Sequence, residues 1–461
     1  MKTYPHYPKP TETKASLLTT LLKKHHSWLD KLYYKSYEMK MGRVKMPGLD
    51  LYVVNDIEVV HRILVEEVKK FPKSQILEHE LKPLLGESII TTNGEKWRGQ
   101  RGLLNPSFEM VRVSNVFGLM SDAVVDMMKR LSDHPNGMEF DIDKEMTFTA
   151  ADIIFRTILS KKLSVDESNT LIHAFKEFQD ETAKTVIFKM FKIPDMFFHK
   201  KEKKRLAAGG RIRNVLGKII QPRYTSMKEG EVDNHRDILA SILSMKDEKG
   251  EFAFSFEEIL DQISMLFLAG HETTASSLTW AIYLLALYPD AQERAYKEIE
   301  NAYEKAESFQ SDMQQRLPYL TNIYREALRL YPPISFFARQ TIEETTVRDK
   351  VLKKGATLVI APWLIHRHKN YWDDAHMFDP DRFSDPDRFN KAAYLPFGKG
   401  PRTCIGAGFA MQESVLILAS LLRVYRIELR PGFIPDIVGR ITVRSLNGLP
   451  VKLIHRDTNE S

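Results

Sequence analysis

Cysteine is the scarcest residue in this chain: Cys404 is the only one among 461 residues. A single cysteine excludes an intrachain disulfide and any zinc or iron–sulfur site built from several cysteines. Excess charge is also small, because 67 basic and 61 acidic residues leave a formal net charge of +6. That value is too low to indicate nucleic-acid binding.

Long uninterrupted apolar runs are missing as well. The N-terminus has no run of signal-peptide or anchor length, and the longest candidate span, 263–287, is interrupted by His271 and Glu272. This pattern favours a long buried helix with a polar centre over a lipid-facing one. We therefore expect a soluble, cytoplasmic protein, and a monomer.

Helical periodicity dominates what is present. Helices are predicted at 15–37, 57–68, 94–105, 113–131, 144–159, 167–182, 256–287 and 317–330. The segment 74–90 reads as irregular. The apolar stretch 186–198 is either exposed, as a substrate mouth or a patch that makes peripheral membrane contact, or a lid packed on the core. Short strands are predicted within about 41–54, 336–362 and 424–454, with a turn at Asn447-Gly448. Because no linker divides the chain, we predict one mainly α domain over 1–461 with a small β region drawn from both ends (an α+β fold).

The most informative stretch surrounds the lone cysteine, LPFGKGPRTCIGAGFA at 395–410. Glycines on both sides of Cys404 keep bulk away from the sulfur, and an apolar helix pattern follows directly. Backbone N–H groups and the dipole of that helix would favour a thiolate. A large flat ligand could then approach the sulfur, and the alternative is a buried, inert cysteine.

The middle of the longest helix reads LFLAGHETTASSLTW, which places Gly270, Glu272 and Thr273 together in an apolar segment. A glycine there costs about 1 kcal/mol relative to alanine, and a buried acid is costly too. Back-bonding by the threonine beside a glycine would open a groove for a small ligand. A polar seam between packed helices is the alternative.

Two pairs of residues at helical spacing say less about function when each pair is considered alone. Trp97 and Arg101 lie one helical turn apart and could clamp an anion or merely stack on each other. Glu326 and Arg329 can close an ion pair, which on a surface would contribute under about 1 kcal/mol.

Taken together and in this order, these segments resemble the cytochrome P-450 superfamily of haem-thiolate monooxygenases. FGKGPRTCIG (397–406) is similar to that family's cysteine-ligand loop, and AGHETT (269–274) to its oxygen-binding helix motif. Glu326-x-x-Arg329 with Asp379-Pro-Asp-Arg382-Phe383 resembles the ion pairs that brace the loop, and Trp97-x-x-x-Arg101 resembles the propionate-binding helix.

The resemblance implies a role for each matching position. Cys404 would be the axial thiolate ligand of a haem b iron, with Phe397 packed beside the sulfur and Gly398 and Gly406 admitting the porphyrin. The other expected haem contacts are Trp97, Arg101, Ala269, Gly270, Arg339 and Arg402. Thr273 with Glu272 would deliver protons to bound O2. Glu326, Arg329 and Arg382 would form the buried brace.

The substrate and the electron source follow only in outline. The expected pocket walls are largely apolar, which predicts a lipophilic substrate such as a fatty acid, terpenoid or steroid; they include Phe267, Ile334, Phe336, Phe337 and Leu446. Because the chain ends soon after Cys404, we expect electrons to come from NAD(P)H through a separate ferredoxin, flavodoxin or reductase. Lys96, Arg98 and Lys399 would form a basic docking patch for it, or would be ordinary surface charge.

Two other functions fit the same pattern. One is a peroxide-driven peroxygenase, which the intact Glu272-Thr273 pair disfavours because peroxide needs less proton relay. The other is a non-catalytic haem-binding sensor, for which that pair would be dispensable.

Overall fold

The computed structural model describes residues 3–12, 27–46, 49–190, 196, 198–231, 233–247, 249–304 and 311–456. Helices make up most of it, and they are, in chain order: α1 Tyr34–Glu38, α2 Ile57–His61, α3 Gln75–Leu85, α4 Gly94–Leu104, α5 Met110–Asn115, α6 Phe117–Ser132, α7 Ile142–Leu159, α8 Val165–Met190, α9 His199–Lys228, α10 Ile238–Leu243, α11 Phe256–Leu287, α12 Pro289–Tyr303, α13 Met313–Arg316, α14 Pro318–Leu330, α15 Pro362–Ile365 and α16 Ala407–Val424.

The strands are short and belong to separate sheets. They are β1 Met41–Met46, β2 Leu49–Val54, β3 Glu139–Asp141, β4 Phe337–Gln340, β5 Thr345–Val347, β6 Lys350–Leu352, β7 Thr357–Ile360, β8 Tyr425–Leu429, β9 Ile437–Gly439, β10 Val443–Ser445 and β11 Pro450–His455. The largest sheet has the order β1-β2-β7-β4, with β2 and β7 parallel; β3-β11-β8, β9-β10 and β5-β6 form the others. The fold class is therefore confirmed, but the single β region drawn from both ends is not. The N-terminal strands join the central ones, and the C-terminal strands pair among themselves and with β3.

The long helix α11 begins and ends at the predicted residues, and its start shows why. Ser255 Oγ accepts a hydrogen bond from the Glu258 amide, while the Glu258 carboxylate accepts one from the Ser255 amide at 3.0 Å. This capping box satisfies two backbone donors that a helix otherwise leaves free. Nearly every side chain of α11 is buried, so the helix forms the centre of the larger hydrophobic core.

Three local predictions were wrong. Segment 74–90 is not irregular, because α3 occupies most of it; Pro83, in the last turn of α3, disguised the pattern. The helix at 167–182 continues to Met190. Of the helix predicted at 15–37, the described part holds only a 3-10 turn, Leu29–Lys31, and α1. Six of the thirteen residues of the predicted 186–198 patch, at 191–195 and 197, lie outside the described residues.

One helix in the described part of the chain, α16, is long and apolar enough by composition to cross a membrane. Because 61% of that segment is buried inside the protein, it has the character of a core helix.

Candidate functional site

The cysteine loop, 395–406, contains a short 3-10 turn, Gly400–Arg402, and leads into α16. The Cys404 amide donates to the Phe397 carbonyl at 2.9 Å, and the Gly398 amide donates to the Leu395 carbonyl at 3.1 Å. Gly398 and Gly400 have φ values of 73° and 75°, which side chains rarely adopt. A Cβ on Gly400 would lie 2.2 Å from the Leu64 carbonyl oxygen. The loop therefore packs tightly on a π-helical turn, Arg62–Glu66, that follows α2.

The other face of the loop is open. A Cβ on Gly398 or on Gly406 would meet no atom within 4 Å, and the Cys404 side chain is exposed. Gly406 is the N-cap of α16, so the sulfur lies two residues before the helix, as expected. The loop therefore presents its thiol to a space that a flat ligand could fill.

The electrostatics of Cys404 differ from the prediction. The Gly406 amide and the Arg101 guanidinium lower the pKa of the thiol, but desolvation by the surrounding protein is larger and raises it above the ordinary value. The helix end alone does not produce a thiolate. A metal cation bound to the sulfur would reverse this, because coordination deprotonates a thiol outright.

A cluster of cations lies beside the loop. The Arg402 guanidinium stacks 5.2 Å from the centre of the Trp97 ring, and its Nε and Nη1 are buried without a partner among the described residues. Burial and repulsion from Arg402 lower the pKa of Arg339 to about 9. Trp97 therefore stacks on Arg402 and not on Arg101, whose Nε donates to Asn105 Oδ1 at 2.6 Å.

Lys73 also belongs to this cluster, and the sequence analysis missed it. It pairs with Arg339 in an isolated β-bridge, and its Nζ donates to the Ile89 carbonyl at 2.8 Å. Burial lowers its pKa to about 7, with repulsion from Arg402 and Arg339 contributing. Glu78 acts on both Lys73 and Arg402, and burial raises its own pKa. Lys73 stands in the segment VKKFPKSQIL, where nothing in the sequence distinguishes it from the neighbouring Lys69 and Lys70.

One strip of α11 is not fully buried. Ala269, Gly270 and Thr273 are partly exposed, whereas the helix is buried on both sides of them along the chain. Thr273 Oγ1 donates to the Ala269 carbonyl at 2.6 Å, which is the back-bond expected of this motif. These three residues line an interior surface. Phe267 does not, because it is 2% exposed and packs between Phe155 and His271.

Glu272 is held apart from that strip. Its carboxylate accepts from Arg444 Nη2 at 2.8 Å and Nε at 3.1 Å, and from Thr442 Oγ1 at 2.6 Å. Arg444 Nη1 also donates to Asp143 at 2.6 Å. Although desolvation opposes it, Arg444 lowers the pKa of Glu272, so this acid is charged. Arg444 is a second residue that the sequence analysis did not identify, because its partners are distant in the chain.

The brace has the expected members. Arg329 Nε and Nη2 each donate to the Glu326 carboxylate at 2.7 Å, and both side chains are 0% exposed. Arg382 Nε lies 3.6 Å from the same carboxylate. The remaining Arg329 donors bind the carbonyls of His366, Ala375 and Met377. Such a pair is stable only because every donor and acceptor is satisfied.

The remaining expected wall residues are apolar and not fully buried. Ile334, Phe336 and Phe337 are partly buried, and Leu446 is 37% exposed just after β10. The Phe336 ring meets the Trp28 ring edge-on at 5.0 Å. Partly exposed apolar side chains of this kind suit a lipophilic ligand.

The residues fit a flat, metal-bearing group with anionic substituents at one edge. An exposed thiol beside two open glycines supplies one ligand atom. Unpartnered N–H groups on buried Arg402 supply donors to anions, which are costly to leave unmade.

Comparison with known proteins agrees with this geometry. The family model for Cytochrome P450 matches residues 5–448. "Cytochrome P450 CYP749A22" of Panax ginseng is 30% identical over 93% of this chain and 81% of its own length. "Cytochrome P450 4V2" of Homo sapiens is 28% identical over 92% and 83% respectively. A crystal structure of the "cytochrome P450DA heme domain" superposes with a TM-score of 0.79 at 23% identity, covering 91% of each chain.

The Glu272–Arg444 pair gives a first testable prediction. Replacing Arg444 by leucine leaves a buried carboxylate unpaired, so Arg444→Leu should lower the free energy of unfolding by about 3–5 kcal/mol near neutral pH. Chemical denaturation measures this. Because pairing lowers the pKa of Glu272, the stabilisation is present above the ordinary carboxyl pKa of 4.5 and is lost as the pH falls below it. The deficit of the variant should therefore shrink near pH 4.

Arg430→Leu is the matched control, because Arg430 pairs with Glu139 on the surface, where an ion pair adds little to stability. Adding Glu272→Gln to Arg444→Leu should recover part of the loss. Equal losses for the two arginine variants would contradict this account.

Proposed function

Because the chain belongs to the cytochrome P450 family, it is an oxidoreductase of the monooxygenase type, and we propose that it inserts one oxygen atom from O2 into a C–H bond of a lipophilic substrate. The observation that carries this proposal is the exposed Cys404 thiol in a loop whose open glycines and adjoining cations fit a haem.

The family implies haem and O2. When bound, haem supplies the oxygen activation and the electron storage that the side chains lack. In the proposed arrangement Cys404 is the metal ligand, with Phe397, Gly398 and Gly406 around the sulfur. Arg402, Arg339, Lys73 and Trp97 hold the propionates, and Arg101 acts mainly on the charge of the thiol.

Thr273 is the side chain that we propose manages protons at the reacting oxygen. It belongs to the partly exposed strip of α11, and its hydroxyl, which donates to the Ala269 carbonyl, keeps lone pairs that can accept a hydrogen bond. It can donate to the reacting oxygen when the bond to Ala269 opens. The Glu272 carboxylate is occupied by Arg444 and Thr442, so it can take part only when that network opens. We therefore assign the direct role to Thr273 and a conditional one to Glu272.

The substrate class rests on the wall residues. Ala269, Ile334, Phe336 and Leu446 are apolar and at least partly exposed, which favours a fatty acid, terpenoid or steroid. These wall residues would orient the substrate, while the bound haem would supply the oxidising chemistry.

The decisive test is the absorption spectrum of the dithionite-reduced, haem-loaded protein under carbon monoxide. We expect the strongly red-shifted Soret band of a thiolate–haem–CO complex, because Cys404 is the only cysteine available to the metal. Cys404→Ser should lose the shift. A haem-loaded, folded wild-type protein without the red-shifted band would overturn the proposal.

A second test addresses proton handling. Thr273→Ala should raise the electrons consumed per molecule of product several-fold, because the hydroxyl is removed from the oxygen side of α11. NAD(P)H consumption and product formation are measured together. Thr273→Ser retains the hydroxyl and serves as the control. If Thr273→Ala behaves like a product-forming wild type, the proton-handling role of Thr273 is wrong. A sensor becomes the better description only if the wild type also forms no product.

A third test concerns the electron partner. Lys96 is paired with Glu87 and Arg98 with Glu95, so Lys399 is the member of the proposed patch with no ion pair among the described residues. Lys399→Glu should slow reduction by an acidic ferredoxin or flavodoxin at low salt, and the difference should fade as ionic strength rises. Stopped-flow kinetics measures this. Lys203→Glu, on α9, is the control, and equal effects of the two variants would exclude a patch at Lys399.

A further inference from the structure

We propose that His366 is a positioning residue that connects the Glu326–Arg329 brace to the cysteine loop and thereby fixes the loop for metal ligation. This inference rests on the proposed function. It adds a residue outside the motifs that the sequence analysis identified.

His366 lies at the end of α15 and is 0% exposed. Its Nε2 is 2.8 Å from the Leu395 amide nitrogen, and its Nδ1 is 3.1 Å from the Arg329 carbonyl oxygen. An amide can only donate, so Nε2 must be the acceptor and Nδ1 must carry the proton. The ring thus receives a bond from the loop and gives one to the brace.

The same pair of residues is joined a second time. Arg329 Nη1 donates to the His366 carbonyl at 2.8 Å, in return for the bond from Nδ1. The imidazole also stacks on the Tyr394 ring at 5.7 Å and meets the Trp372 ring edge-on at 6.2 Å. The ring therefore has its position, its plane and its tautomer set by neighbours.

Burial and two neighbouring arginines keep the His366 ring neutral, which preserves its two hydrogen bonds. Arg329 and Arg367 face the imidazole, and together with burial they lower its pKa to about 3. A protonated ring would have no lone pair for the Leu395 amide. His366 is therefore a neutral acceptor at every pH at which the enzyme operates.

A short series of backbone bonds continues from Leu395 to the sulfur. The Leu395 carbonyl accepts from the Gly398 amide, and the Phe397 carbonyl accepts from the Cys404 amide. A second hydrogen bond ties this end of the loop to α14, from the Tyr394 hydroxyl to the Arg325 carbonyl at 3.0 Å. It lies at the exposed side, whereas the His366 bond is buried, where an unmade bond is more costly.

The test compares three variants that separate the two ring nitrogens. His366→Gln keeps an acceptor near Nε2, His366→Asn keeps a donor near Nδ1, and His366→Phe removes both. We expect His366→Gln to retain the red-shifted CO band in most molecules, and His366→Asn and His366→Phe to lose it in most. His368→Phe is the matched control, because His368 is also 0% exposed but stacks on Tyr371.

A second readout does not depend on the loaded enzyme. Amide hydrogen exchange of a peptide covering 395–404 should be about tenfold faster or more in His366→Phe and His366→Asn than in His366→Gln and His368→Phe, since the buried Leu395 amide loses its acceptor. If His366→Phe does not fold, the Gln and Asn variants still give the comparison.

The outcomes separate this inference from the proposed function. Equal exchange and equal CO spectra in the Gln and Asn variants would overturn the positioning role even if wild type shows the red-shifted band. Absence of that band in wild type would overturn the proposed function, while the exchange comparison would still decide whether His366 holds the loop.

Discussion

The ion pair between Glu326 and Arg329 is the interaction on which the site depends. Neither side chain reaches solvent, so the charges must be compensated within the protein. Glu326 uses both oxygens on Arg329 and also accepts from the Asp379 amide, while the spare donors of Arg329 hold three carbonyls. One of those carbonyls belongs to His366, whose ring accepts a hydrogen bond from Leu395 at the start of the cysteine loop. The pair therefore matters less for its own electrostatic attraction than because it holds in place backbone segments that lack regular secondary structure.

The pairing of buried charges elsewhere in the protein indicates what kind of ligand the cations around Arg402 require. Glu80 is fully buried and is matched by Arg205, Lys189 and Thr185, and Glu272 is matched by Arg444. At the cluster of Arg402, Arg339 and Lys73 the balance is different, because three cations share little acidic compensation and Arg402 keeps buried donors unbonded. Unlike Glu80 and Glu272, these clustered cations have no ion-pair partner in the described part of the chain, and together with the unbonded donors of Arg402 this indicates an anionic ligand.

The sequence predicted the mainly α fold class, the exact span of α11 and the Glu326–Arg329 pair from local spacing, whereas Arg382, the third member of the brace, followed only from the family resemblance. Helical period sets α11, and three-residue spacing closes the Glu326–Arg329 pair. What it could not predict was any feature that depends on pairing between distant segments. Lys73 beside Arg339 and Arg444 beside Glu272 follow from tertiary packing, which no periodicity encodes.

The misjudged charge state of Cys404 has the same origin. A helix terminus is visible in a sequence, but desolvation is not, and here desolvation outweighs both the Gly406 amide and Arg101. The protein therefore does not prepare a free thiolate. It holds the sulfur of Cys404 at a fixed place, through the tight contact of Gly400 with Leu64 and the backbone bonds that begin at Leu395, and leaves ionisation to the bound metal. Mechanical support of the loop then matters more to ligation than the charges near the sulfur, which is why a neutral histidine bound to both the brace and the loop can act on the metal site.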